Sequence, residues 1–157
     1  MSQPVPNDLI TKQILSLLKE VFVEVQGAIL DRGTSLCETL DSLTAADASK
    51  PSIPGGTSIA GHTEHILFYL RVTDAYMEGR DLGKLDWKQS WLVHEVTESE
   101  WTDLRQQVRD YYDKLATQVN SFPDWNNEKR LGGCMANIAH TAFHIGAIRQ
   151  IMKAVKG

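Results

Sequence analysis

Two histidines one helical turn apart, His140 and His144, are the residues whose type and spacing most directly indicate chemistry. They lie in residues 136–150, a stretch without proline, and the (i, i+4) spacing places both imidazoles on one face of a helix. Ala147 and Ile151 share that face, so both rings are predicted to point into the apolar side of the helix. A single divalent metal ion could accept both rings.

A third inward-facing histidine, His65, is predicted in an earlier helix, where it shares a face with Tyr69. Three protein ligands with a fourth position open to water describe a catalytic rather than a structural site, and zinc, nickel and ferrous iron all accept neutral imidazole. His65, His140 and His144 match that ligand count. His62, at the edge of the same face as His65, is the alternative third ligand.

The spacing also allows an interpretation without metal. His140 and His144 would then be ordinary core histidines that form hydrogen bonds with side chains such as Tyr69 or Asn137. Because an (i, i+4) pair often arises by chance, spacing alone leaves both interpretations open.

The elements that must position these histidines follow from hydrophobic periodicity. Apolar residues repeat with the helical period in four long segments, and no segment shows the alternation of a strand. Long helices are predicted at residues 8–25, 58–77, 97–120 and 134–155, with Asn7 as the cap of the first. Four amphipathic helices in one small chain predict an all-α four-helix bundle.

The first connection, residues 26–56, is long enough to favour a crossover topology over a simple up-and-down bundle. Ser35 and Glu38 form a capping-box pattern that predicts a short helix within it, and residues 44–47 predict one more turn. The last helix is apolar over more than half of its circumference. Its surplus around residues 138–145, at Ile138, Ala142 and Ile145, predicts the contact of a homodimer.

The remaining candidate residues favour structural roles. His94 and Glu95 are not followed by a helix-spaced histidine, which excludes a zinc-protease motif and predicts a surface histidine. Tyr69 and Tyr76 are expected in the core or an interface rather than as proton donors. The tryptophans are expected to pack at the ends of the bundle, with a pocket mouth as the alternative: Trp87, Trp91, Trp101 and Trp125. No catalytic residue is assigned.

Composition bounds the class of protein. With 157 residues, 42% hydrophobic and 23% charged, the chain is predicted to form one domain, residues 1–157. The net charge of -4 and the scattered basic residues exclude nucleic acid as an expected partner. No apolar run reaches the roughly 18 residues of a membrane span, and the polar start, residues 1–4, lacks the regions of a signal peptide. Cys37 and Cys134 are expected to be buried, reduced thiols, and the expected location is the cytoplasm.

Three segments carry a resemblance to a known family. Residues 33–40 are similar to the first connection, residues 58–66 to the second-helix ligand segment, and residues 139–150 to the closing motif of the DinB-like (DinB/YfiT) superfamily. This superfamily consists of small bacterial four-helix proteins and is unrelated to the DNA polymerase of similar name. The closing motif is the most specific, whereas His62 departs from the apolar residue expected at its position.

The resemblance implies a divalent-metal site, nickel or zinc, whose ligands by position are His65, His140 and His144, and it implies a dimer. For some relatives it implies a transferase or isomerase reaction with a low-molecular-weight thiol; hydrolysis by activated water is the second enzymatic possibility. Two non-enzymatic interpretations stay open, a metal-binding or stress-response dimer without catalysis and a structural dimer with metal-free histidines. Metal binding is expected to weaken as the pH falls through about 6, since each ligand must lose its proton.

Overall fold

Four long helices form the frame of the computed structural model, which describes residues 5–157. In chain order the elements are α1 (Asn7–Phe22), α2 (Leu36–Asp41), α3 (Ala45–Ala48), α4 (Ile59–Met77), the 3-10 helix η1 (Trp87–Trp91), α5 (Glu98–Ser121) and α6 (Glu128–Lys156). The described residues contain no β-strand, only an isolated bridge between Pro51 and Ser58. The prediction of an all-α helical bundle is confirmed. The polar start, residues 1–4, lies outside the described residues.

The long helices pack so that α1 and α4 occupy diagonal positions. α4 packs against α5 and α6, and α1 packs against the same two helices. The chain must therefore cross the bundle between α1 and α4, which is the crossover that the long first connection predicted. The short helices lie along this path, α2 against α1, α5 and α6, and α3 against α4, α5 and α6.

A buried carboxylate, Glu20, holds the beginning of the first connection. Its oxygens accept hydrogen bonds from the backbone N–H groups of Ala28 (3.0 Å), Ile29 (2.6 Å) and Leu30 (2.8 Å). Burial would raise the pKa of Glu20, but these donors outweigh burial and hold the pKa below its ordinary value. The chain is thereby fixed as it leaves α1, which ends at Phe22, earlier than the predicted residue 25.

The beginning of the last helix differs from the prediction. α6 begins at Glu128 rather than at residue 134, with Asn127 as its cap; the Asn127 side chain accepts hydrogen bonds from two backbone N–H groups of the first turn. Polar residues and the glycines at positions 132 and 133 predicted a loop over residues 124–133. Gly133 instead faces Met77 of α4 so closely that the structure leaves no room for a Cβ atom. The connection predicted up to residue 133 is therefore non-helical only as far as Asn127, and it was wrong from Glu128 on because Gly133 serves a helix–helix contact.

The core lies between the four long helices and the short helices of the connection. Its fully buried members include Leu18, Phe22, Ile66, Leu67, Trp101 and Ile148. Ile138 and Ile145 are also buried, so these two residues are not available for the predicted dimer contact, whereas Ala142 is half-buried against the core. Within residues 5–157, no helix is long and apolar enough to cross a membrane.

Candidate metal centre

Three histidine rings converge where α4 packs against α6. The Nε2 atom of His140 lies 3.2 Å from Nε2 of His65 and 3.2 Å from Nε2 of His144. One ring nitrogen from each histidine lies within 4.8 Å of the others. His65 and His144 are buried, and His140 is half-buried. The structure thus brings together the three histidines that the sequence singled out.

The two distances to Nε2 of His140 fit a shared cation. Imidazole nitrogens about 2.1 Å from a tetrahedral ion are about 3.4 Å apart, and ligands at right angles are about 3.0 Å apart, so 3.2 Å falls between the two geometries. Hydrogen bonding explains the arrangement less well. A neutral ring nitrogen carries either one proton or one lone pair, so Nε2 of His140 cannot form two good N–H···N bonds at once. A divalent ion between the rings would satisfy all three nitrogens.

The outward nitrogens of the three rings have different surroundings. Nδ1 of His65 lies 2.8 Å from the hydroxyl of Ser90, which belongs to η1. Nδ1 of His140 is buried without a hydrogen-bond partner among the described residues, and this ring instead stacks on Tyr69 with centroids 3.7 Å apart and planes 10° apart. The ring of His65 is therefore oriented by a hydrogen bond, and that of His140 by stacking.

His62 lies behind the cluster rather than in it. Its Nδ1 atom is 3.0 Å from Nδ1 of His144, the ring nitrogen of His144 that does not face the other two histidines. The converging group accordingly contains His65 and not His62. The sequence favoured His65 but left His62 as the alternative, because residues three apart lie on neighbouring positions of one helical face.

Aromatic side chains cover the histidines. Trp91 of η1 stacks on His65, with centroids 3.9 Å apart and planes 15° apart, and its ring also meets His62 edge-on. Phe143 meets His144 edge-on with centroids 5.1 Å apart. Trp91 therefore packs on the histidine cluster. No local pattern signals this contact or that of Ser90, because His65 lies 25 residues before Ser90 in the chain, beyond the reach of helical periodicity.

Burial keeps the three rings neutral near pH 7. It lowers the pKa of His65, and burial together with the neighbouring histidines lowers the pKa of His140 to about 4 and of His144 to about 3. Neutral imidazole is the form that binds metal. Protons therefore compete for the site at a lower pH than the value near 6 expected from unperturbed histidines. No carboxylate or thiol joins the group within residues 5–157.

The other candidates lie elsewhere. His94 is exposed and lines a cleft of about 600 Å³ beside α5, together with Glu95, and none of the three converging histidines lines that cleft. Tyr76 is 48% exposed and lies outside the core. Cys37 and Cys134 are buried and free, and burial raises the pKa of their thiols to about 11 and about 12. Both cysteines are buried, as predicted, and the raised pKa values disfavour the thiolate form.

Of the other three tryptophans, Trp101 and Trp125 belong to the core, whereas Trp87 is 42% exposed. Trp101 donates its indole N–H to the carbonyl oxygen of Leu43 at 3.0 Å, and Trp125 donates to the hydroxyl of Thr11 at 2.9 Å. Both rings are buried, so neither lines a pocket mouth.

Comparison with known proteins identifies the family. Residues 31–148, about three quarters of the chain, match the family model described as the DinB superfamily. The matched span contains η1 and all four histidines around the cluster. Neither the curated proteins nor the solved structures yield a match. With the family model covering most of the chain, this protein belongs to the DinB superfamily.

Proposed function

We propose that this protein is a metal-dependent enzyme that binds one divalent ion through Nε2 of His65, His140 and His144. The observation that carries the proposal is the convergence of two ring nitrogens on Nε2 of His140 at 3.2 Å each, a number of contacts that one imidazole nitrogen cannot satisfy by hydrogen bonds. Membership of the DinB superfamily supports the same centre.

Nickel and zinc are the proposed ions, since both accept neutral imidazole nitrogens. An ion held by three neutral ligands keeps its double charge and lowers the pKa of a thiol or water bound in its open position. The chain itself supplies orientation and shielding. Trp91 covers one face of His65 and Tyr69 covers one face of His140, so the ligand rings are held by packing on rigid helices.

A low-molecular-weight thiol is the proposed substrate or co-substrate, in a transferase or isomerase reaction. No carboxylate lies in the histidine group within the described part of the chain, so no side chain there is placed to take a proton from water. A thiol needs less help, because its pKa of about 8.5 is already far below that of water. Hydrolysis is therefore the second enzymatic candidate.

The lack of a carboxylate in this group also favours one non-enzymatic candidate, a metal-binding protein without catalysis.

We further propose a cytoplasmic, single-domain protein that forms a homodimer. Two free cysteines fit a reducing compartment. Met135 and Phe143 are 59% and 71% exposed, and with Ala139 they form an outward-facing apolar row on α6 that could bury itself against a second copy. Sedimentation at tens of micromolar tests the dimer.

Elemental analysis tests the metal proposal. Protein expressed with nickel and zinc available should carry about one ion per chain, and His140→Ala and His144→Ala should lose it. His94→Ala, which changes an exposed histidine, is the matched control and should retain the ion. If the wild type neither carries nor takes up a stoichiometric ion, the enzyme proposal fails and the interpretation as structural histidines stands.

A second measurement separates the candidate activities. Cobalt-loaded protein is titrated with glutathione, bacillithiol or mycothiol and followed by absorbance. A sulfur-to-metal charge-transfer band supports a thiol-dependent reaction. Loaded protein that shows no band with any of the three thiols argues against that reaction and leaves hydrolysis or metal binding alone.

A further inference from the structure

Ser90 is a buried polar residue that lies outside the histidine group and forms a hydrogen bond with one of its members, His65. It belongs to η1 and has no exposed surface. Its hydroxyl oxygen lies 2.7 Å from the backbone carbonyl oxygen of Trp87 and 2.8 Å from Nδ1 of His65. Ser90 thus stands between the main chain of η1 and one ring of the cluster.

These two contacts decide where the protons lie. A serine hydroxyl has a single proton to donate, and the carbonyl oxygen of Trp87 can only accept. The hydroxyl of Ser90 therefore donates to Trp87, and its oxygen faces His65 as an acceptor. Nδ1 of His65 must then carry the N–H. Because a neutral imidazole has one N–H, Nε2 of His65 carries a lone pair, and this is the nitrogen that faces His140.

We propose that Ser90 is a positioning residue of the metal centre, which holds His65 in the Nδ1–H tautomer and so leaves Nε2 free to bind a divalent cation. The consequence for metal affinity rests on the function proposed above. The tautomer of His65 does not depend on that function, because it is a property of the metal-free protein.

Trp91, the next residue, adds a second constraint on the same ring. Its stacking at 3.9 Å fixes the plane of the His65 ring, whereas the bond to Ser90 fixes which edge of the ring faces the cluster. A histidine that binds metal commonly gives its other N–H to a carboxylate or a carbonyl group. A hydroxyl in this place orients the ring of His65 without adding the negative charge that a carboxylate would bring. The 3-10 helix η1 would therefore set the geometry of the site without reducing the positive charge of a bound ion.

The tautomer can be measured directly on the wild type. Long-range ¹H–¹⁵N correlation spectra of the metal-free protein near pH 7.5 distinguish protonated from unprotonated ring nitrogens. We expect His65 to show a protonated Nδ1 and an unprotonated Nε2. The opposite tautomer overturns the proposal, and this result needs no variant and no bound ion.

Metal affinity is the second readout, measured for Zn²⁺ in competition with a chromophoric chelator. Ser90→Ala should bind Zn²⁺ about 10- to 100-fold more weakly, the usual cost of losing such a partner. Ser90→Thr, which keeps the hydroxyl, should bind more tightly than Ser90→Ala. Gln89→Ala changes an exposed residue of the same 3-10 helix and is the matched control, with wild-type affinity expected.

The outcomes are distinguishable. Wild-type affinity in a folded Ser90→Ala variant overturns the inference, as does Ser90→Thr binding no better than Ser90→Ala. If circular dichroism shows that Ser90→Ala does not fold, the inference is tested by the His65 tautomer of the wild type and by the Zn²⁺ affinity of Ser90→Thr. A wild type that takes up no Zn²⁺ defeats the proposed function, whereas the tautomer of His65 still decides the role of Ser90.

Discussion

The Nδ1 atoms of His62 and His144 lie 3.0 Å apart, so that one ring donates an N–H to the other. If Nε2 of His144 is given to an ion, Nδ1 of His144 carries the proton and His62 accepts it. His62 then supports His144 as Ser90 supports His65. Both buried ligand candidates have a hydrogen-bond partner behind them, whereas His140 is oriented by stacking on Tyr69.

Replacing His62 should weaken metal binding without abolishing it. His62→Ala removes the acceptor behind His144, and we expect about tenfold weaker Zn²⁺ binding with one ion per chain still bound at saturation. Competition titration gives the affinity and elemental analysis the stoichiometry. His94→Ala, at an exposed histidine, should change neither. Complete loss of the ion in His62→Ala would instead identify His62 as a ligand.

The metal-free protein should lose stability as the pH falls from about 7 to 5. His140 and His144 have pKa values of about 4 and about 3 in the folded chain, against 6.5 when unperturbed. In this pH window the unfolded chain binds more protons than the folded chain. The free energy of unfolding is therefore highest above pH 6.5 and decreases as the pH falls below that value.

Urea denaturation at pH 7 and pH 5 measures this dependence. The window lies above the ordinary pKa of glutamate, which separates the histidines from buried carboxylates such as Glu20. His144→Ala removes one buried base, and we expect a smaller difference between its two midpoints than in the wild type. An equal difference in both proteins would show that His144 does not titrate in this way.

Glu20 should be a major source of stability for the first connection. Glu20→Ala leaves the backbone N–H groups of residues 28–30 without their charged acceptor, and we expect a loss of about 2 kcal/mol or more in the free energy of unfolding. Urea denaturation at neutral pH measures it. Glu24→Ala is the control, because this carboxylate is exposed and forms a surface ion pair with Lys19, and it should leave the midpoint unchanged. Equal midpoints for the two variants would refute this role.

Two adjacent glycines of α6 should respond oppositely to alanine. At Gly133 a Cβ atom would collide with Met77, so Gly133→Ala should destabilise the protein by about 1–3 kcal/mol through overpacking. At Gly132 a Cβ atom would meet nothing, so Gly132→Ala should stabilise the helix by up to about 1 kcal/mol. Thermal and urea denaturation of the pair decide the matter. A stabilised Gly133→Ala would mean that α4 and α6 are not in close contact there.

Local patterns in the sequence were sufficient to predict the four long helices and the alignment of His140 with His144. Both depend on the helical period, which relates residues only three or four positions apart. The resemblance to the family and the inward face of α4 added His65. Prediction was poorest at helix ends and in connections. Gly133 indicated a loop because its contact with Met77 is invisible in the local sequence.

The tertiary structure alone decided which side chains support the histidines. Periodicity favoured His65 and left His62 as the alternative, and the packing of α4 on α6 placed the ring of His65 in the cluster and that of His62 behind it. Ser90 lies 25 residues beyond its partner His65 along the chain, in a connection without periodic signal. A hydrogen bond depends on distances of a few tenths of an ångström between atoms that folding brings together. Such distances are set by the packing of the whole bundle and not by any local pattern of residues.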